Sequence, residues 1–213
     1  MPALPTGASP AHHPPAELLL EHAGGCGTEA EALVIARHLD LCPDCRAEIR
    51  DCAAIGGAML DSIEPVQLPP NMLNRTLEAI DSPSRMPEAA PAGCGRSALD
   101  LEVGAWRKLP GGVRVRRLPV AGPSERLVLM RVPPGGAILP HRHAGDEWTL
   151  VLQGGFSDRT GHFGRGDFAV MSAEDKHKPI ADPGEECVCL LLIRGEPRYS
   201  GLLGRLMGPF VKL

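Results

Sequence analysis

The first part of the chain carries apolar side chains at the three- and four-residue spacing of amphipathic helices. One such run extends from Ala16 to about His22, and a second opens at Thr28 with Glu31 three residues later, which is the capping-box pattern. A third helix is expected over Pro43 to about Asp61, and Asn71 suits the cap of a short fourth one. The pattern predicts a small helical bundle.

One side of the predicted fourth helix is apolar, and the pattern allows two uses for that stripe. It can close the core of the small bundle, or it can lie in the groove of a partner protein. The first use is the more common one, and it is the one we expect. The stripe consists of Met72, Leu73, Thr76, Leu77 and Ile80.

From Leu101 onward the apolar residues form short runs bounded by Gly, Pro and Asp, which is typical of an all-β barrel or sandwich. The stretch before it is rich in Pro, Gly and Ala, as expected of a linker. We therefore predict an α plus all-β chain of two domains, with a helical domain at 1–85, a linker at 86–99 and a β domain at 100–213. The predicted strands are Val113–Leu118, Leu127–Val132, Trp148–Leu152, Phe168–Met171 and Cys187–Ile193.

The composition is that of a globular chain, with 25 Gly and 22 Pro that gather in turns and form no repeat. The chain opens with no signal-like segment, and apolar runs such as Cys187–Ile193 fall far short of the ~20 residues that span a bilayer. Seven cysteines, an odd number, indicate a reducing compartment instead of a disulfide framework. We expect a cytoplasmic protein without a membrane segment.

The charge is unevenly distributed between the two predicted domains. Residues 1–85 carry five arginines against twelve acidic residues, whereas residues 86–213 carry 17 basic and 14 acidic ones. An acidic N-terminal domain disfavours direct binding to nucleic acid and suits a basic protein surface. A protein partner is therefore the expectation.

Three residues of metal-ligand type recur between the second and third helices at spacings that suit one tetrahedral ion. His38 and Cys42 are four residues apart and share one helix face. Pro43 starts a new helix, so Cys42 and Cys45 lie near its N-terminus, where the thiolate form is favoured. A redox dithiol is the weaker interpretation because no βαβ pattern surrounds these cysteines.

A structural zinc site takes four nitrogen or sulfur ligands, so one more is needed. His13, ahead of the first helix, is the preferred candidate, with His12 and His22 as alternatives. With His13 included, the His38-x-x-x-Cys42-x-x-Cys45 pattern resembles the zinc-binding anti-sigma factors. Members of that family hold extracytoplasmic-function sigma factors inactive.

A second set of candidate ligands lies in the β region. Alternate residues of a strand project to one face, so His141 and His143 can both point into a barrel, and Glu147 returns after a turn. The spacing Gly135-x5-His141-x-His143-x3-Glu147-x6-Gly154 resembles the first cupin motif at each fixed position. The resemblance implies a jelly-roll β-barrel that holds a metal ion.

The resemblance also implies a fourth ligand, His177, which stands where the second cupin motif has its histidine. Three imidazoles and a carboxylate bind zinc, iron, manganese, nickel or copper, and spacing does not choose among them. The second motif departs from the cupin pattern at Ser172, Glu174 and Ala181. The sequence therefore supports a metal site more strongly than an enzymatic activity.

A zinc anti-sigma module followed by one cupin domain resembles the ChrR subfamily of these regulators. That resemblance implies a small zinc-bound helical bundle before the cupin barrel, zinc in both domains and a one-to-one complex with a sigma factor. It further implies that the cupin transmits a stress such as singlet oxygen. The leading hypothesis is thus a regulator and not an enzyme.

The rival hypothesis is a metal-dependent cupin enzyme, a dioxygenase or isomerase, whose N-terminal zinc module serves regulation or assembly. An enzyme needs an open coordination position at its metal, whereas four protein ligands can close a tetrahedral site. A DNA-binding repressor is a weaker possibility, since the chain lacks a clustered basic recognition helix.

Overall fold

The structure is a computed structural model, and it describes residues 9–81, 101, 104–120, 125–142, 144–195 and the backbone of 198–199. His143 and the predicted linker at 86–99 lie outside the described residues. Within these ranges, no helix combines the length and the apolar character that a membrane crossing requires. The four predicted helices are all present, as α1 (Ala16–Ala23), α2 (Glu29–Leu41), α3 (Pro43–Asp61) and α4 (Met72–Asp81).

Local signals in the sequence set both ends of α2. The Thr28 hydroxyl accepts a hydrogen bond from the Glu31 amide at 3.2 Å, and the Glu31 carboxylate accepts one from the Thr28 amide at 2.6 Å. The helix ends at Leu41, because Cys42 is extended and Pro43 has no amide to continue the ladder. Cys42 therefore caps the end of α2 and the start of α3 at once.

The described part of the β region contains eleven strands. They are β1 (Arg107–Lys108), β2 (Arg114–Leu118), β3 (Glu125–Val132), β4 (His141–Arg142), β5 (Glu147–Gln153), β6 (Phe156–Asp158), β7 (Gly161–Phe163), β8 (Phe168–Met171), β9 (Ile180–Ala181), β10 (Cys187–Arg194) and β11 (Arg198–Tyr199). The main sheet has the order β1-β2-β3-β10-β5-β8, beside a three-stranded sheet β7-β6-β9 and the pair β11-β4. The five predicted strands correspond to β2, β3, β5, β8 and β10.

The barrel core lies between the main sheet and the three-stranded sheet. Alternate residues of β10, from Cys187 and Cys189 to Leu191 and Ile193, point into this core. The residues between them are also buried, because they face the helices on the other side of the sheet. Burial on both faces explains why β10 is an uninterrupted apolar run.

The helical domain and the outer face of the main sheet share one apolar core. Ala30, Val34 and Ile35 of α2 belong to the same buried cluster as Trp148 and Leu190 of the sheet. The predicted domain boundaries stay a prediction, and the structure adds that the two parts pack directly against each other. An ion pair joins them at the rim of this contact, where Arg194 of β10 binds Glu31 of α2 and Glu125 of β3.

The second half of α3 and all of α4 lack such packing. In the part of the chain that the structure describes, α4 has no buried residue, so the expectation that it closes the bundle core is wrong. Its apolar residues are instead exposed, like other large apolar side chains of α3 and of the segment that follows it. These exposed residues are Ile55, Met59, Leu60, Ile63, Val66, Leu68, Met72, Leu73, Leu77 and Ile80, and we call them the α3–α4 apolar surface.

Candidate metal centres

Four predicted ligand side chains converge at the junction of α2 and α3. His38 comes from the last turn of α2, Cys42 from the junction, Cys45 from the first turn of α3 and His13 from the segment before α1. Nδ1 of His13 lies 3.4 Å from the Cys42 sulfur and 3.3 Å from the Cys45 sulfur. Nε2 of His38 lies 3.3 Å from the Cys45 sulfur. One donor atom from each residue lies within 4.8 Å of the other three.

This geometry fits a tetrahedral metal ion. Zinc bonds to sulfur and nitrogen give a nitrogen-to-sulfur edge of about 3.6 Å in a tetrahedron, close to the distances found here. His38 donates from Nδ1 to the Gly166 carbonyl at 2.9 Å, which turns the lone pair of Nε2 towards the sulfurs. Burial lowers the pKa of His38 to about 4, so the ring is neutral and able to bind a metal at neutral pH.

Burial decides the ionisation of Cys45 when no cation is present. Burial, followed by the neighbouring Cys42 sulfur, raises the pKa of the Cys45 thiol to about 12. The sequence-based expectation that the helix N-terminus favours a thiolate is therefore outweighed at Cys45. A bound divalent ion supplies the positive charge that stabilises a thiolate in such a place.

The two alternative histidines lie elsewhere. His12 faces the barrel, where its Nδ1 is 3.3 Å from the Asp167 carboxylate and its ring is 4.5 Å from that of Phe163. His22 borders a shallow depression beside Trp148, and burial lowers the pKa of this histidine. Of the three candidates for the fourth ligand, the structure brings His13 to the cysteines.

The second group of predicted ligands meets inside the barrel. His141 lies on β4, Glu147 begins β5, and His177 pairs with His141 through backbone hydrogen bonds of 3.2 Å in both directions. Nε2 of His177 lies 3.1 Å from Nε2 of His141 and 3.9 Å from the Glu147 carboxylate. All three side chains are buried, and their donor atoms lie within 4.8 Å of one another. His143, the remaining predicted ligand, is outside the described residues.

Contacts behind the two imidazoles orient their inner nitrogens. His141 donates from Nδ1 to the Leu139 carbonyl at 2.8 Å, and Nδ1 of His177 is 3.5 Å from the Asp158 carboxylate. Because Nδ1 of His141 donates, the Nε2 lone pair of His141 faces Nε2 of His177, and a cation between the two nitrogens would take both as ligands. The corresponding edge of a tetrahedral zinc site is about 3.3 Å, so the donor set fits a metal ion.

Burial changes the ionisation of the three barrel ligands in opposite directions. Burial raises the pKa of Glu147 to about 8, while a 3.3 Å hydrogen bond from the Thr149 hydroxyl opposes that shift. Burial lowers the pKa of His141 to about 4, with His177 adding to the effect. Burial also lowers the pKa of His177, against the influence of Asp158. Without a metal ion, His141 and His177 are therefore neutral and the Glu147 carboxyl is protonated at neutral pH.

A cavity of about 240 Å³ adjoins the barrel ligands. Its wall is mostly apolar and includes Met130, Phe156 and Leu191 in addition to the three ligands. Sequence reasoning missed this cavity and two supporting residues, Asp158 and Thr149. Alternation along β5 is a signal for Thr149, because it shares a strand face with Glu147. Asp158 carries no such signal, since it comes from a strand too short to predict.

Comparison with known proteins places the chain in a family. It is 36% identical over 210 residues to "Anti-sigma-E factor ChrR" of Cereibacter sphaeroides, an alignment that covers 95% of this chain and 98% of the relative. The chain belongs to the ChrR family of anti-sigma factors. The model of the ChrR cupin-like domain matches residues 95–194, within the region where the sequence predicts a linker and a cupin barrel.

A solved structure supports the ChrR assignment independently. The crystal structure of Rhodobacter sphaeroides SigE in complex with the anti-sigma ChrR contains a chain that superposes with a TM-score of 0.72 at 38% identity. The match covers 85% of this chain and 98% of that one. The predicted ChrR resemblance and the predicted helical-plus-cupin fold are both confirmed, and the ChrR relative is a regulator rather than an enzyme.

Proposed function

We propose that this chain is an anti-sigma factor that binds one extracytoplasmic-function sigma factor through the α3–α4 apolar surface and keeps it from RNA polymerase. The observation that carries the proposal is that surface itself. Val66 is 82% exposed, Leu73 69% and Ile80 73%, although all three are large apolar residues. Large apolar side chains exposed in such number, on the second half of α3, on α4 and on the segment between them, are characteristic of a protein-binding site.

The geometry supports a groove-filling mode of binding. The α4 stripe and the exposed side of α3 are separated by the segment between Ser62 and Asn71, so they offer two apolar faces. The acidic charge of residues 1–85 complements a basic partner, such as a protein that itself binds nucleic acid. The same acidic charge disfavours direct binding of this chain to nucleic acid. The complex belongs in the cytoplasm, where RNA polymerase works.

Zinc is the metal we propose for the N-terminal centre, with His13, His38, Cys42 and Cys45 as ligands. Two imidazoles and two thiolates match the ligand preference of structural zinc. The ion would fix the angle between α2 and α3, and hence the direction in which α3 carries its exposed residues. The barrel centre would hold a metal through His141, His143, Glu147 and His177, with zinc as our first choice.

The barrel centre is where we propose that release is controlled, in response to oxidative stress such as singlet oxygen. Imidazole rings react readily with singlet oxygen, and loss of one ligand leaves the metal under-coordinated in a buried site. The outer face of the same sheet packs on α2, which connects the barrel to the helical domain. Damage at the metal can therefore alter the support of the sigma-binding part.

The 240 Å³ cavity favours a second candidate function, a metal-dependent cupin enzyme such as a dioxygenase or isomerase. An apolar chamber beside the metal ligands provides room for a small substrate. Oxygen consumption or isomerisation by the metal-loaded chain, lost in Glu147→Gln, would support it. The ChrR family membership and the α3–α4 apolar surface favour the regulator.

Co-purification from the native host tests the proposed function. Tagged wild-type chain should bring down a sigma factor in a one-to-one ratio, and Leu73→Asp with Leu77→Asp should abolish the capture because charges replace buried apolar contacts. Val170→Asp is the matched control, since Val170 is an exposed apolar residue of the barrel. If the double variant captures as much sigma factor as the wild type, the proposed binding surface is refuted.

A further inference from the structure

A tight turn of the barrel, Gly164–Asp167 between β7 and β8, contacts the segment that leads to the first metal ligand. The Asp167 carboxylate accepts hydrogen bonds from the backbone amides of Ala11 at 2.6 Å and His12 at 2.9 Å. The Phe168 amide donates to the His12 carbonyl at 3.0 Å. Residues 11 and 12 are therefore fixed on the barrel immediately before His13.

The same turn reaches the second histidine of the centre. The Gly166 carbonyl accepts the hydrogen bond from Nδ1 of His38, and the His38 side chain is completely buried. That bond sets which ring nitrogen faces the cysteines and fixes the plane of the ring. The carbonyl belongs to the barrel, 128 residues along the chain from the histidine that it orients.

Asp167 is built into this contact and is not a casual surface residue. It is 5% exposed, and its second oxygen accepts a hydrogen bond from the Gly164 amide at 2.8 Å. Although burial opposes ionisation, the amides of His12, Gly164 and Ala11 hold the pKa of Asp167 below its usual range. A buried carboxylate with several amide donors is a rigid anchor.

Gly166 shows how closely the two parts approach. Its φ of 93° belongs to glycine, and a Cβ at this position would lie 2.6 Å from Cγ of Pro10 and 3.5 Å from Cβ of Leu41. Only a residue without a side chain fits between Pro10 and Leu41 at this point of the turn. The turn thus fits both the N-terminal segment and the end of α2.

We infer that the Gly164–Asp167 turn of the barrel is part of the N-terminal metal centre, where it positions His13 and His38 and slows release of the ion. The inference rests on metal binding by the four proposed ligands and is independent of sigma binding. Gly166 and Asp167 are positioning residues, since they act through the two histidines. Partners of this kind change metal affinity by about 10–100-fold when they are lost.

The test measures metal release from the zinc-loaded full-length chain without any sigma factor. Excess EDTA removes the ion, and iodoacetamide then alkylates Cys42 and Cys45, which peptide mass spectrometry follows over time. Exposed Cys26 serves as an internal reference for the alkylation reaction, and buried Cys187 and Cys189 report general unfolding. Asp167→Ala should accelerate labelling of Cys42 and Cys45 about 10–100-fold and leave Cys187 and Cys189 protected.

Asp175→Ala is the matched control. Asp175 accepts a hydrogen bond from the Ser172 amide three residues earlier, as Asp167 does from Gly164, but its further hydrogen bonds come from the Ser172 hydroxyl and from Arg159 of the barrel. This variant should release the N-terminal ion within about twofold of the wild-type rate. The inference is overturned if Cys42 and Cys45 of Asp167→Ala are labelled at the wild-type rate. It is also overturned if Cys187 and Cys189 of this variant are labelled as fast as Cys42 and Cys45.

A second pair of variants decides the matter if Asp167→Ala does not fold. Gly166→Ala should accelerate release through both the strain of its positive φ and its clash with Pro10, and adding Pro10→Gly should recover the part that is due to the clash. The recovery is expected because the double variant removes the atoms that collide. If the single variant Gly166→Ala and the double variant with Pro10→Gly release zinc at the same rate, the proposed contact is contradicted. A chain that releases zinc as expected but captures no sigma factor would refute the proposed function alone.

Discussion

Glu147 shows how one side chain can link burial to metal binding. It is completely enclosed by the barrel, accepts a hydrogen bond from Thr149 and lies 3.9 Å from the nearer nitrogen of His177. Burial raises its pKa to about 8, whereas it lowers the pKa of His141 to about 4. At neutral pH an incoming cation therefore competes with a proton at Glu147 and not at His141.

We predict that zinc binding to the metal-free barrel centre releases about one proton from Glu147 at pH 7. The sign follows from the raised pKa: the metal-free carboxyl is protonated below pH 8, so affinity weakens by up to about tenfold for each pH unit below that value. Calorimetry in buffers of different ionisation enthalpy measures the proton count. Glu147→Gln should release about one proton fewer, and an equal count would contradict the assignment.

At the scale of elements, the junction of α2 and α3 depends on ligands more than on apolar packing. Of the nineteen residues of α3, only Cys45 is buried, while α2 buries five of its residues. The start of α3 is held through Cys42, whose sulfur accepts a hydrogen bond from the Cys45 amide at 3.4 Å. A metal at this junction would be the main fixed point between the barrel-packed helix and the exposed one.

Cys42→Ala with Cys45→Ala should therefore lower bound zinc from two equivalents per chain to one and unfold mainly α3, whose start the ligands hold to the barrel-packed α2. A structural zinc contributes its binding free energy directly to the folding of a small domain. Elemental analysis gives the metal content, and far-ultraviolet circular dichroism gives the helix content. Cys26→Ala with Cys52→Ala is the control that should retain both ions. Two ions in the Cys42 and Cys45 variant would contradict the assignment.

Local chemistry explains which elements the sequence predicts. Capping by Thr28 and Glu31, the break at Pro43 and the short apolar runs of β2 and β5 are contained within a few neighbouring residues, and the structure has these elements. The spacing of His38, Cys42 and Cys45 is equally local. Their convergence with His13 was predictable as a ligand count, because a tetrahedral site needs four donors.

Long-range packing explains what the sequence does not predict. The stripe of α4 has the same pattern whether it faces a core or a partner, so its exposure had to come from the structure. The hydrogen bonds of Gly166 and Asp167 to the N-terminal segment join residues more than a hundred positions apart. No periodicity reports such a contact, and the apolar cavity beside Glu147 likewise depends on how the two sheets face each other.

At the scale of the whole molecule, the core shared by α2 and the main sheet makes the two parts one folding unit. Ile35 is 1% exposed and borders the same depression as Trp148 of β5. Arg194 adds a polar link at the rim, where it binds Glu31 and Glu125 and lies 5.1 Å from the centre of the Trp148 ring. Unfolding of α2 would expose the outer face of β10.

We predict that Ile35→Ala lowers the free energy of unfolding of the full chain by roughly 2–4 kcal/mol, through lost burial and the cavity left behind. Urea unfolding followed by alkylation of the buried Cys187 and Cys189, which reports the barrel, and by circular dichroism, which reports the helices, should give coincident transitions. Leu20→Ala is the control, because Leu20 is 62% exposed and should change stability little. A loss of helix signal well before the transition of Cys187 and Cys189 would show that the parts unfold separately.

The apolar side of α2 also limits how this chain can be recombined with others. Ala30, Val34 and Ile35 share a buried apolar cluster with Leu127 and Leu190 of the barrel. A gene fusion that moved the helical part onto an unrelated domain would leave these side chains in water, and the barrel alone would carry a bare patch on its main sheet. Exchange of either part alone therefore requires new residues at the contact between α2 and the main sheet. We expect the two parts to be inherited together, with substitutions on one side of this contact matched by substitutions on the other.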